Sequence, residues 1–262
     1  KPGNVHRHAA GHGMEVMHFE QAAKAAANPI AETGASVGRR ILRATEASVA
    51  ATGLNTNLGI VLLCAPLAKA ASETSFDIGL RRRLGAILMS LDERDAEDAF
   101  TAIRIANPAG MGKVDEADIH SGPQHLTLLA AMQLAAERDR IANAYVSVYA
   151  DVFDFALPVL HEAIKIAEPH STLAVTTLHM SLLAEFPDTH ITRKFGAEMA
   201  DGIRKEARAL RPQWSPIATA KSLPALQKFD AKLKHEGLNP GTTADFVVTT
   251  LFAHGLIERK HA

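Results

Sequence analysis

Cysteine is almost missing from this chain. Cys64 stands alone, so no internal disulfide can form and disulfide-stapled frameworks are excluded. A single thiol suits a reducing compartment, and the expected location is cytoplasmic. An excess of one charge sign is also missing: 28 basic and 29 acidic residues leave a net charge of -1. No delocalised attraction to nucleic acid or acidic membranes follows, and neither is expected as a partner. No apolar run reaches the roughly 20 residues of a membrane span. Aromatic residues supply only 5%, and the lone Trp214 reads as packing rather than base recognition. Neither a fixed-length repeat nor a low-complexity linker divides the 262 residues, so one domain over 1–262 is expected. No signal peptide is visible, and the sequence, beginning at Lys1 and not Met, reads as trimmed or truncated.

Alanine is plentiful instead, with the best intrinsic helix propensity. The expected class is all-α, a compact multi-helix, bundle-like domain. Residues 22–51 read as two helices broken near Pro29. Residues 58–71 are apolar enough for a buried helix or a strand. Length and alanine favour helix, and Pro66 is the local objection. Further helices are expected over 76–88, 93–105, 124–151, 153–167, 172–184, 189–210, 222–235 and 242–258. In 189–210, Ile191, Phe195, Met199 and Ile203 recur every four residues as one apolar stripe. Thr242 and Asp245 resemble a capping box. Apolar alanine-rich faces can pack within the chain or between copies, leaving a homo-oligomer open.

Chemistry-bearing residues fall at the helix breaks. Lys1, His6 and Arg7 can meet phosphate, and Asn4 can bridge polar ligand atoms; a charged terminus explains the same letters. His6, His8 and His12 lack the rest of a standard zinc pattern. In Gly53-Leu54-Asn55-Thr56-Asn57-Leu58-Gly59, Asn55 or Thr56 can cap the next helix. The cluster can equally cradle an anion at that helix's N-terminus. It is no Walker A loop, because the Gly-Lys-Ser/Thr order is absent. Gly110 and Gly112, with Lys113, permit backbone approach to a phosphate or simply make a turn.

Residues 187–194 form the richest constellation. Asp188 can cap a helix or bind magnesium, and His190 and Lys194 share a helical face. Arg193 and Lys194 bring positive charge near a helix start. Asp151 and Asp154 are three apart and, with Asp188, suit a magnesium ion held partly by substrate phosphates. Asn239, Gly241 and Asp245 belong to a polar cluster that capping or ligand binding explains. His161, His170 and His179 read as structural.

Taken in order, these motifs resemble the triphosphoribosyl-dephospho-coenzyme A synthase family over nearly the whole chain. Residues 1–7 resemble its opening Lys-Pro-Gly motif, 53–59 its Asn-Thr-His-Lys-Gly loop, and 107–112 its central Pro-Gly-Gly loop. Residues 188–194 resemble the Asp-Thr-Asn region, and 239–245 the late Ser-Pro-Gly-Gly-Ser-Ala-Asp element. Asn57-Leu58 stands where the citrate-lyase type has His-Lys, and His190 where the Asp-Thr-Asn element has its second Asn. Arg193-Lys194-Phe195-Gly196 departs from Arg-Gly-Gly, and the Gly-Glu-Ala element is not kept near 151–155. The pattern is similar to a divergent branch of archaea and one-carbon-utilising bacteria, which implies tetrahydromethanopterin biosynthesis as an alternative pathway.

The resemblance implies a transferase acting in cofactor biosynthesis. An acceptor hydroxyl attacks C1′ of ATP, adenine leaves, and the ribose triphosphate joins an acceptor such as dephospho-coenzyme A. Expected partners are the nucleotide and a small-molecule acceptor of unknown identity. The expected cofactor is Mg²⁺, held by Asp188 with Asp154 or Asp245, with ATP as substrate. Lys1, Arg7, Arg193 and Lys194 are expected on phosphates. Asn4, Asn55, Thr56 and Asn57 are expected on ribose or acceptor, with Gly59, Gly110, Gly112, Asn239 and Gly241 lining the nucleotide. His190, Asp188 and His6 are the expected catalytic group. A non-catalytic nucleotide-binding protein is the alternative of another class.

Overall fold

The computed structural model describes residues 1–73, 79–106, 125–167 and 172–259. The described residues form thirteen α-helices, one π-helical turn and one 3-10 turn, without a sheet. The fold is all-α. Two compact units emerge. One comprises Met17–Ala150 with Phe252–Ala262, and the other Lys1–Val16 with Asp151–Leu251.

In the unit beginning at Met17, α1 (Val16–Ala31), α2 (Val37–Thr52) and α3 (Leu58–Ser72) are followed by α4 (Leu80–Met89) and α5 (Glu93–Ala106). Then come α6 (Leu128–Ala135) and α7 (Arg140–Val146). Helix α2 packs on α5 and α3. The α2–α5 approach depends on Gly38, because a Cβ there would lie 2.4 Å from Asp95 Cα. Gly38 N–H also donates to Asp95 Oδ1 at 2.7 Å, while Asp95 N–H donates to Asp92 Oδ1 at 2.9 Å. Asp95 thereby ties the starts of two helices together.

The ambiguous apolar segment is helix α3, and it runs through Pro66. Proline has no N–H for the carbonyl four residues back, which is that of Leu62. The buried Tyr145 hydroxyl supplies that donor, reaching Leu62 O at 2.7 Å; Tyr149 donates to Leu63 O at 3.0 Å. The break between α1 and α2 falls at residues 32–36, and Pro29 is tolerated inside α1. Buried Arg40 donates to the carbonyls of Ile30 and Ala35 across that break. The expected long helix over 124–151 is α6 and α7, because Asp139 restarts the chain by accepting from Ile141 N–H at 2.8 Å.

The other unit contains a π-helix (Asp151–Ala156), α8 (Leu157–Ile166), α9 (Leu173–Glu185), α10 (Thr189–Phe195) and α11 (Ala197–Ala209). A 3-10 turn (Arg211–Gln213), α12 (Leu223–His235) and most of α13 (Gly241–Glu258) complete it. The expected helix over 189–210 is two, because Gly196 adopts φ +91° between them. That break ends the apolar stripe. Ile191 and Ile203 are buried, whereas Phe195 and Met199 are 43% and 42% exposed. The core joins Met180, Leu183, Ile203, Leu226, Phe229 and Leu233 around Trp214, whose indole N–H donates to Ala207 O at 3.0 Å. Among the described residues no helix is long and apolar enough to cross a membrane.

Candidate functional site

The N-terminal segment is fixed by buried hydrogen bonds in its own unit. Lys1–Asn4 close a turn, with Asn4 N–H donating to Lys1 O at 3.1 Å. Gly3 has φ +79°, and a Cβ there would come within 2.7 Å of both Leu233 and Pro240, so glycine is required twice over. Its N–H donates to Asp230 Oδ1 at 2.7 Å. Its carbonyl accepts from His12 Nε2 at 2.8 Å, and the carbonyl of Pro2 from His179 Nε2 at 2.9 Å. Both imidazoles therefore carry their proton on Nε2. Burial pushes His179 well below the usual histidine range.

Asp230 is the second anchor. Its Oδ2 lies 3.1 Å from His6 Nε2 and 3.0 Å from Lys234 Nζ. Burial raises the carboxyl, but donors from His6, the Gly3 N–H and Lys234 outweigh it and bring it down to about 2. His6 also accepts at Nδ1 from His8 N–H at 3.3 Å. Both ring nitrogens are thus engaged in holding the segment.

Asp188 is buried, with 1% exposure. Oδ1 accepts from the N–H groups of His190 and Ile191 at 2.9 and 3.1 Å, capping α10. Oδ2 accepts from the N–H and hydroxyl of Thr243, both at 2.7 Å, capping α13. A carboxylate has about four acceptor positions, and all are used. Asp188, expected to hold magnesium and take part in catalysis, is placed here as a clamp between two helix starts. Among the described residues no three His, Cys, Asp or Glu side chains group so as to hold a metal, and Asp188, Asp154 and Asp245 do not form such a set.

The clamp sets α10 beside the Asn239-Pro240-Gly241 turn. Thr189 and Thr242 share a hydroxyl hydrogen bond of 3.1 Å. The His190 ring lies against Gly241, where a Cβ would sit 3.3 Å from its Cγ. Burial, then the positive charges of Arg193 and Lys194, lower the imidazole to about 4, with Asp188 opposing. It is neutral at pH 7, and its buried Nε2 has no partner. Across the turn, Asn4 Nδ2 donates to Asn239 Oδ1 at 2.9 Å, leaving Asn4 Oδ1 buried without a partner.

Of the other expected residues in this unit, Lys1 is half-buried. Burial lowers its ammonium below the usual value while Asp245 raises it. Arg193 is half-buried, and Arg7, Lys194 and Asp154 are exposed. In the other unit, Asn55 Oδ1 accepts from Leu58 N–H at 3.4 Å, and Asn57 Nδ2 donates to Ser48 Oγ at 3.0 Å. Thr56 has a buried hydroxyl without a partner, and Gly59 lies in the first turn of α3. Gly110 and Gly112 lie outside the described residues, as do Lys113 and His170. Sequence reading missed Asp230 and Lys234, and the available signal was a charge on the apolar face of α12, between Leu226, Phe229 and Leu233. His179, read as structural, holds the Pro2 carbonyl.

A solved structure of a candidate triphosphoribosyl-dephospho-CoA synthase from Archaeoglobus fulgidus shares this fold. Its TM-score is 0.70 at 23% identity, over 91% of this chain and 98% of that one. No functionally curated protein matches the chain. The family model described as CitG, ATP:dephospho-CoA triphosphoribosyl transferase, matches residues 1–262, from the anchored Lys1 turn through the clamp to the end of α13, and the chain belongs to that family of transferases.

Proposed function

We propose that this chain transfers the triphosphoribosyl group of ATP to a hydroxyl of a dephospho-coenzyme A-like acceptor. The supporting observation is that one family model spans every loop of the cluster, from Asn4 to Gly241. In the reaction the acceptor oxygen bonds to C1′ while the C1′–N9 bond breaks. The hydroxyl proton leaves through a base, and adenine departs protonated. His190 fits the proton-handling role: it is neutral, has a free ring nitrogen, and sits between a buried clamp and a glycine turn. Arg193 and Lys194 suit the triphosphate. Lys1 and Arg7 are further phosphate candidates, and Asn55, Thr56 and Asn57 candidates for ribose or acceptor. Magnesium would enter with the phosphates, with Asp245 and Asp154 the carboxylates left to support it, and would neutralise phosphate charge. The reaction belongs in the cytoplasm, where nucleotide is plentiful.

A second reading keeps the transfer and changes the acceptor, as in pterin-cofactor synthesis. Leu58, buried at the start of α3, favours it: the position where the resemblance puts Lys offers no charge here. Incubation with Mg-ATP and dephospho-coenzyme A, then a panel of hydroxylated acceptors, followed by mass spectrometry, tests both. Free adenine with a triphosphoribosyl adduct is the expected result. Tight ATP binding with no adenine release across the panel would point to the non-catalytic alternative and end the transferase proposal.

A further inference from the structure

The Asn239–Gly241 turn is flanked by two side chains with unfilled hydrogen-bonding capacity. On one side is Asn4, 5% exposed, joined to Asn239 and left with Oδ1 unpartnered. On the other is His190, its ring against Gly241 and its Nε2 unpartnered. Buried polar atoms are nearly always paired, so two on one turn mark a position completed by something else. Both groups are uncharged. The nearest buried carboxylate, Asp188, has its four positions filled, and Lys234 is held by Asp230. The cations that act on the His190 ring, Arg193 and Lys194, lie in the last turn of α10, and Asn4 Oδ1 can only accept, so a phosphate, with no proton to give, cannot fill it. A carboxamide and a neutral imidazole suit a group that donates and accepts, such as a base edge or a sugar hydroxyl.

We infer that the Asn4–His190 corner is a subsite for the uncharged nucleoside end of the substrate, not for its phosphates. The inference rests on the proposed use of ATP and assigns one end of that molecule to this turn. It gives the opening Lys-Pro-Gly-Asn turn a recognition role, and gives Gly241 the task of letting the imidazole approach the backbone.

The test uses the full chain with ¹⁵N-labelled histidine and two probes, adenosine and inorganic tripolyphosphate. Adenosine should shift the His190 ring nitrogens, and tripolyphosphate alone should leave them in place. Asn4→Ala should weaken adenosine binding roughly tenfold with tripolyphosphate binding kept. Gly241→Ala, which displaces the ring while sparing Asn4, provides a second variant and should also weaken adenosine. Shifts caused by tripolyphosphate and not by adenosine would overturn the subsite, as would adenosine affinity untouched by both variants. If adenine release from ATP is measured while adenosine leaves His190 unmoved, the subsite alone fails. If adenosine binds as described and no transfer is found, the transferase proposal alone fails.

Discussion

Replacing Asp188 with Asn tests the clamp directly. The carboxylate accepts four hydrogen bonds, two from the start of α10 and two from Thr243 at the start of α13. A carboxamide keeps one acceptor oxygen and turns an NH₂ toward the other pair of donors. Thr243 can rotate its hydroxyl and accept from that NH₂. Its backbone N–H cannot, and it remains buried facing a donor. A hydrogen bond to a charged group contributes about 1.5–3 kcal/mol, and a buried unsatisfied donor costs about 1–3 kcal/mol. The combined loss is about 2.5–6 kcal/mol, a large share of the roughly 5–15 kcal/mol that holds a domain together. Urea unfolding followed by far-ultraviolet circular dichroism reads it, with Thr243→Val, which removes only the hydroxyl bond to the carboxylate, expected at about 1.5–3 kcal/mol. Magnesium dependence of ATP binding should survive in whatever Asp188→Asn protein remains folded. A stability loss below about 0.5 kcal/mol, together with abolished magnesium dependence, would refute the clamp and restore a ligand role.

Three further outcomes follow from the same geometry. Tyr145→Phe strips the Leu62 carbonyl of its donor and should cost about 1–3 kcal/mol. In a Pro66→Ala background the helix regains an N–H there and the cost should shrink; equal costs in both backgrounds would sink the pairing. Gly38→Ala drives a Cβ to 2.4 Å from the Asp95 backbone and should cost about 3 kcal/mol or more, read by urea unfolding; a neutral result would contradict the α2–α5 approach. Acid should act in two windows. His190 is lowered from 6.5 to about 4, so the unfolded chain takes up the extra proton first, and stability falls between those values by at most about 3 kcal/mol. Asp230 is lowered from 3.8 to about 2, so its contribution is whole above 3.8 and is lost, by about 2 kcal/mol, as pH falls through 2. Unfolding of His190→Gln and Asp230→Asn across pH separates them: each difference curve against the parent chain should bend in its own window, and a flat curve refutes that assignment.

Helix content was legible in the sequence because alanine and periodicity report it locally. Helix breaks were less so. Pro29 looked like a stop, yet the break came at 32–36, where Arg40 collects carbonyls from both sides. Gly196 looked like one more residue in a regular stripe, until its positive φ put Phe195 and Met199 outside. The loops of interest were also legible, since polar residues and glycine cluster between helices for few reasons. What each residue does there was not. His6 and Asp188 have the letters of catalysis, but each also pairs with a partner 224 or 55 positions away. No spacing rule sees such pairings. Asp230 shows the converse: an acid on an apolar helix face is a readable anomaly, although its partner, the Gly3 turn, is not.

Each unit spends a buried aspartate on joining two helix starts, Asp95 for α2 and α5, and Asp188 for α10 and α13. Free N–H groups at a helix start attract negative charge, so an internal carboxylate and a substrate phosphate compete for the same donors. Where the carboxylate has taken them, the helix start no longer serves a phosphate. Under the proposed transfer, phosphates would then fall to side-chain cations such as Arg193 and Lys194, one turn further along α10. The first turn of that helix, where His190 stands neutral against Gly241, would be left to uncharged chemistry. The clamp thus starts a seven-residue helix whose first turn carries the His190 ring against Gly241 and whose last turn carries Arg193 and Lys194.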